Sequence, residues 1–214
     1  MILTKQIVKS ILNIPQTNTD YDKAITTLIP IVKMWVVNKC HNHFEVERKY
    51  PADYFTVSPF LINTLQGTYI SLYANTISFT ASTKKISDSD GNMLNAGFRP
   101  GFDIRVQDSQ YNDKIFGISS VTDNDITLSS DETLIDESSG YYTLLSLVQF
   151  PAGIEIPMSK IIGEELKNDS VINGDRVQSE SIANVSFNYG ATLSGEYPPH
   201  IINQLKPFMR VKFA

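Results

Sequence analysis

The chain has 214 residues, 42% of them hydrophobic and 19% charged. That is enough for one domain or two small ones with a real core, and too apolar for a disordered chain. A net charge of −5 excludes a protein whose main business is gripping nucleic acid, because phosphate contacts need a basic balance. The single cysteine, Cys40, excludes a disulfide framework within the chain. No stretch reaches the roughly 18 apolar residues needed to span a bilayer. Met1–Ser10 lacks the apolar run of a secretory signal, so a soluble protein made in a cytoplasm is expected. The sequons at Asn168 and Asn184 are then chance matches.

Charge is uneven along the chain. Residues 1–50 carry seven Lys/Arg against four Asp/Glu, residues 51–150 five against twelve, and residues 151–214 six against seven. An acidic middle between more balanced flanks points to an inserted module.

Leu3, Ile7, Val8, Ile11 and Leu12 fall at helical spacing and predict a short helix ending near Asn13, before Pro15. Gln16–Asp20 reads as a polar loop. Thr19 is a candidate N-cap for a second helix over residues 20–43, with Asp20 and Asp22 in its first turn. Its stripe is Ala24, Ile25, Leu28, Ile31, Val32, Trp35 and Val36, and Pro30 inside it should kink or split it. Residues 45–73, punctuated by Pro51, Pro59 and Gly67, read as extended connection with one or two short elements.

From Asn75 to Phe150 the period changes to two. Ile77 and Phe79 alternate with polar residues, as do Phe102, Ile104 and Val106, and Ile126 and Leu128. Apolar runs lie at Ile115–Val121 and Tyr142–Val148. Turn signals separate them at Asp90–Asn92, Arg99–Gly101, Tyr111–Asp113, Thr122–Asp125 and Ser138–Gly140. Short, regularly spaced strands predict a small antiparallel barrel or sandwich. Ile154, Met158, Ile161, Ile162 and Leu166 then mark a third helix, with Pro157 in the tolerant first turn. Residues 168–180 read as a loop, Val185, Phe187 and Tyr189 as a strand, and Pro198-Pro199 as the opening of a short helix through Ile202 and Leu205. The tail Pro207–Ala214 mixes Phe208, Met209, Val211 and Phe213 with Arg210 and Lys212. The predicted class is therefore α+β. A small antiparallel helical bundle, residues 1–73 and 151–214, carries an inserted antiparallel β-barrel or sandwich module over residues 74–150.

Motifs for chemistry are sparse. Cys40-His41-Asn42-His43 groups metal-type ligands, but a structural zinc site needs four, and histidines near a helix C-terminus already suit its dipole. Asp88–Asn92 resembles a calcium loop only faintly: the glycine comes fourth rather than sixth and no glutamate follows at the required place. It reads as a solvated turn, and so do Asp123/Asp125 and Asp131/Glu132. No Gly-x-Ser-x-Gly, Gly-x-x-x-x-Gly-Lys or His-Glu-x-x-His pattern occurs. The three histidines, His41, His43 and His200, offer little for acid–base work, so no enzyme, cofactor or metal is expected. The tail exposes apolar surface unless covered, either as a last strand on the local sheet or by docking on a partner.

Three segments carry a resemblance. Leu3–Cys40 (LTKQIVKSILNIPQTNTDYDKAITTLIPIVKMWVVNKC) resembles the opening of the phage head–tail connector, or DNA-packaging adaptor, family. Ser181–Gly190 with Tyr197–Phe213 (SIANVSFNYG…YPPHIINQLKPFMRVKF) is similar to its close. Gly97–Gly140 looks like a small β-barrel module recurrent in phage structural proteins, with Phe102-Asp103 standing where that module usually has Gly-Asp. The resemblance implies a structural virion protein at the neck between portal and tail. It implies a homo-oligomeric ring of about twelve copies, sealing the junction, with double-stranded DNA passing through its channel without specific binding. The partners implied are the portal protein and the next neck or tail component, with no membrane. Portal docking would fall to Phe208, Met209, Arg210, Val211, Lys212 and Phe213. The alternative is a tail or capsid accessory module that binds a receptor or glycan through its β-domain, for which an exposed aromatic platform would be the sign.

Overall fold

The computed structural model describes residues 2–47, 69–167 and 197–210. The chain divides into two compact units. One comprises residues 1–43, 130–132 and 150–214; the other comprises residues 44–129 and 133–149.

The first unit is helical. Helix α1 (Lys5–Ile11) is capped by Thr4, whose hydroxyl accepts from the Ile7 N–H. Helix α2 spans Asp22–Cys40 as one continuous element that includes Pro30. Of the expected kink or split, the split does not occur, because one missing donor is a local loss in a helix held by tertiary packing. Thr19 is not the cap: Tyr21 occupies that position without a side-chain cap bond, and Asn18 instead accepts from the Asp20 N–H. The buried stripe runs through Ile25, Leu28, Ile29, Val32, Val36, Val37 and Cys40. It is rotated slightly from the expected one, leaving Ala24, Ile31 and Trp35 half-buried. The helix following the β-rich stretch, Glu155–Lys167, packs against both α1 and α2, and the short helix Pro199–Leu205 packs on it in turn. Gly163 lies where an added Cβ would come 2.8 Å from Leu12 Cδ2, so α1 and the Glu155–Lys167 helix approach closely there.

Charged groups are buried in this unit, which amphipathic patterning does not anticipate. Lys9, 1% exposed, donates to the carbonyls of Asn18 and Gln16 and pairs with Asp22, which also holds Lys5 at 2.8 Å. Lys33, fully buried, pairs with Glu132 at 3.8 Å. Tyr197 donates to Glu165 at 2.7 Å, both buried, and its ring sits edge-on to Trp35 with centroids 5.1 Å apart.

Among the described residues the second unit is one seven-stranded antiparallel sheet. Its strands are β1 (Ser71–Ala74), β2 (Ile77–Thr80), β3 (Lys85–Asp88), β4 (Asp103–Gln107), β5 (Ile115–Val121), β6 (Asp125–Leu128) and β7 (Thr143–Val148), in the order β1-β7-β4-β5-β6-β3-β2. A short helix, α3 (Met93–Ala96), links β3 to β4. In chain order α4 is then Glu155–Lys167 and α5 is Pro199–Leu205. Strand β5 pairs with β4 through Ile115–Gly117 and with β6 through Ile118–Val121, with a register shift between Ile118 and Ser120. Such a bulge lets one strand turn from one half of a sheet into the other. The two end strands β1 and β2 are consecutive in the chain, joined by Asn75-Thr76. The sheet therefore curls far enough to bring its ends together, while no ladder joins β1 to β2 among the described residues. One apolar cluster fills it, including Ile77, Phe79, Ile86, Met93, Phe98, Ile104, Val106, Phe116, Ile118, Ile126, Leu145 and Leu147.

In the division into units, residues 44–47 group with the strands. Phe44–Glu47 belongs to the sheet through bridges of Glu45 to Val148 and Glu47 to Tyr69. These isolated pairings have too few residues to show a period in sequence. The expected loop at residues 168–180 and strand at Val185–Tyr189 lie outside the described residues.

Candidate interaction surfaces

The tail begins against α2. Lys206–Phe208 forms a 3₁₀ turn, because Pro207 fits its first turn and ends the preceding helix. Asn42 Nδ2 donates to the Phe208 carbonyl at 3.2 Å, and the Arg210 N–H donates to the Cys40 carbonyl at 2.9 Å. The last turn of α2 leaves such carbonyls without intrahelical donors, and the tail supplies one. Phe208 and Met209 are half-buried and Arg210 is exposed. Val211, Lys212 and Phe213 lie outside the described residues. The tail as far as Arg210 is thus a turn docked on α2, not a strand on the sheet.

A second surface lies on the β-module. Tyr73 on β1 pairs with Leu144 on β7, which places Tyr142, two residues earlier, at the diagonal position on the same face. Their rings stack with centroids 5.1 Å apart at 26°. Tyr73, Tyr142 and Tyr141 are each more than half exposed. Sequence inspection missed this group because β1 shows no alternation long enough to reveal it.

The remaining motifs resolve as structural groups. Cys40 is buried, and burial pushes its thiol up to about 11. His41 is exposed at the left-handed C-cap of α2, and His43 is exposed just beyond. No group of three metal-type ligands converges among the described residues. Asp88 is not a solvated turn residue. It is fully buried, and its carboxylate accepts from Thr76 Oγ1, the Asp90 and Asn92 N–H groups and Asn92 Nδ2. Those four donors fold the Asp88–Asn92 loop around it. Asp125 grips Lys85 and Ser87 across β6 and β3, and the Lys85 bond holds its carboxyl below the ordinary range. Glu132 likewise leaves the turn class as the partner of buried Lys33.

No helix among the described residues is long and apolar enough to cross a membrane. A scan against protein-family models gives no match, and searches of curated proteins and of solved structures give none.

Proposed function

We propose that this chain is a structural, non-enzymatic subunit of a phage particle: a head–tail connector that forms a ring of about twelve copies between portal and tail. The observation that carries the reading is the composition of the helical unit. Helices from before and after the β-module, α1, α2, α4 and α5, join in one unit, and the tail returns to the C-terminal end of α2. In this reading the helices act as a small antiparallel bundle, the curled sheet as a barrel-like module, and the segment beyond Arg210 as the portal-docking element. The acidic balance suits a channel through which DNA slides without being held.

Electron micrographs of the purified chain, alone and mixed with portal, test the proposal. A ring seated on portal is expected. Removing Val211–Ala214, which spares the Arg210 bond to α2, should leave the fold intact and abolish attachment. Portal binding by the truncated chain would refute the docking role, and a chain that never forms a ring with portal would refute the connector reading.

One observation favours the alternative, a receptor- or glycan-binding module: the exposed Tyr73, Tyr141 and Tyr142 on the sheet. Tyrosines present an apolar face with a polar tip, suited to sugar rings. Glycan-array binding lost on Tyr142→Ala, with no affinity for portal, would select it.

A further inference from the structure

Among the described residues strand β2 ends the sheet, with β3 on one side only. An end strand presents backbone N–H and C=O groups to any other strand that comes by. The danger is greatest where the strand is β-prone and uncharged. Ile77-Ser78-Phe79-Thr80 fits that description, and no charged residue occurs from Tyr54 to Thr83. The usual deterrents, a lysine or proline on the edge strand, are missing from β2.

Something else covers it. Phe79 N–H donates to the Glu137 carbonyl at 2.9 Å and the Glu137 N–H to the Phe79 carbonyl at 3.0 Å. The Ala81 N–H donates to Asp136 Oδ1 at 2.7 Å, and the Gly140 N–H to the Asn75 carbonyl at 2.7 Å. The segment making these bonds, residues 133–140, is not one of the strands; it is a strap between β6 and β7. Buried side chains hold it. Leu134 enters the apolar cluster. Asn112, 1% exposed, clasps Ile135 in both directions, Nδ2 to its carbonyl at 3.0 Å and Oδ1 from its N–H at 2.9 Å. The Glu137 carboxylate accepts from the Gln110 N–H at 2.8 Å, the Tyr111 N–H at 3.3 Å and Asn112 Nδ2 at 3.0 Å. Glu137 thereby joins the β4–β5 loop, through its side chain, to the β2 edge, through its backbone.

We infer that residues 133–140 are an edge guard: by occupying the outward hydrogen-bonding groups of Phe79 and Ala81 they keep β2 from pairing with β2 of a second copy of this chain, and Glu137 is the positioning residue that holds them there. A second copy is the occupant the guard excludes, because its own β2 is the same uncharged, β-prone strand and edge-to-edge antiparallel pairing of two such strands is symmetric.

Amide exchange followed by NMR, with sizing over a concentration series, tests this on the full chain. Glu137→Ala removes an acceptor shared by three donors. Exchange at Phe79 and Ala81 should quicken about 100-fold, with the β4 amides unchanged, and concentration-dependent dimers or larger species should form. Unchanged exchange at Phe79 overturns the inference, and so does release of the strap without self-association. Should Glu137→Ala unfold the whole module, Asp136→Ala decides, since that side chain is exposed and makes one bond to the edge. It should raise exchange at Ala81 about tenfold and leave Phe79 protected; no change at Ala81 overturns the guard.

Discussion

Replacing Tyr197 by Phe removes one oxygen from the junction of α2, α4 and the segment entering α5. The ring keeps its edge-on contact with Trp35 at 5.1 Å, so the loss is confined to the 2.7 Å bond to Glu165. Both partners are buried, at 5% and 2% exposure, so water does not replace the lost donor. A hydrogen bond to a carboxyl group in such a place contributes about 1.5–3 kcal/mol, most of it the cost of leaving the other group unsatisfied. Glu165→Leu strands the phenol instead and should cost about 1–3 kcal/mol. The double variant strands neither, so its loss should fall short of the sum by about 2 kcal/mol. Trp35 is the single tryptophan and lies in the helical unit, so its fluorescence in urea follows that unit. With a slope of about 2 kcal/mol per molar urea, each single variant should lower the midpoint by roughly 1 M. A coupling below about 0.5 kcal/mol would refute the claim that this bond is a tie between helices.

Burial first, and then the bond to Glu165, hold the Tyr197 phenol well above the ordinary tyrosine value. Tyr197 ionises more readily in the unfolded chain, so its contribution is complete below about pH 10 and declines as pH rises beyond. Tyr197→Phe should flatten that alkaline decline in the urea midpoint. The Lys5 bond, then Lys9, holds the Asp22 carboxyl below the ordinary range. Its contribution is present above about pH 3.9 and is lost as pH falls through the lowered value; limited proteolysis of α1 should increase there, and Asp22→Asn should show that increase at neutral pH. Glu132→Gln leaves Lys33 buried beside a neutral partner and should destabilise the helical unit by about 3 kcal/mol, read by the same Trp35 titration. Cys40, buried and with a raised thiol, should resist a thiol reagent at pH 8 until urea unfolds its unit. Labelling at native urea concentrations would contradict the burial.

Elements with a long or clean hydrophobic period were legible from residue types alone. The Ile115–Val121 run is β5 in full, Tyr142–Val148 contains β7, and α4 follows the spacing from Ile154 to Leu166. Strands with a single apolar residue were not. Lys85-Ile86-Ser87-Asp88 is β3, yet only Ile86 and Asp88 are buried, and a buried aspartate imitates a turn signal. The turn residues were well placed, but their role was underestimated. Asp88, Asn112 and Glu137 sit in polar stretches and are nevertheless buried organisers of loops, because donors from other segments converge on them: the Thr76 hydroxyl on Asp88, the Ile135 N–H on Asn112, and the Gln110 and Tyr111 N–H groups on Glu137. That convergence is a property of the tertiary fold and leaves no local period. The same holds for the surfaces: the tail could be singled out from its composition, whereas the Tyr73–Tyr142 stack depends on a strand pairing between residues far apart in sequence.

The helical unit also sets the order in which this protein can mature on the ribosome. Helices α1 and α2 are synthesised first, but their packing partner α4 begins only at Glu155. At about 5–20 residues per second, the nascent chain waits roughly 6–23 s between finishing Cys40 and reaching that residue. The strands made during the interval have nearly all their partners within residues 44–149. The packing of α1 and α2 is thus completed only after α4 emerges, and until then the apolar side of α2, from Ile25 to Val37, is the surface that cellular chaperones would meet.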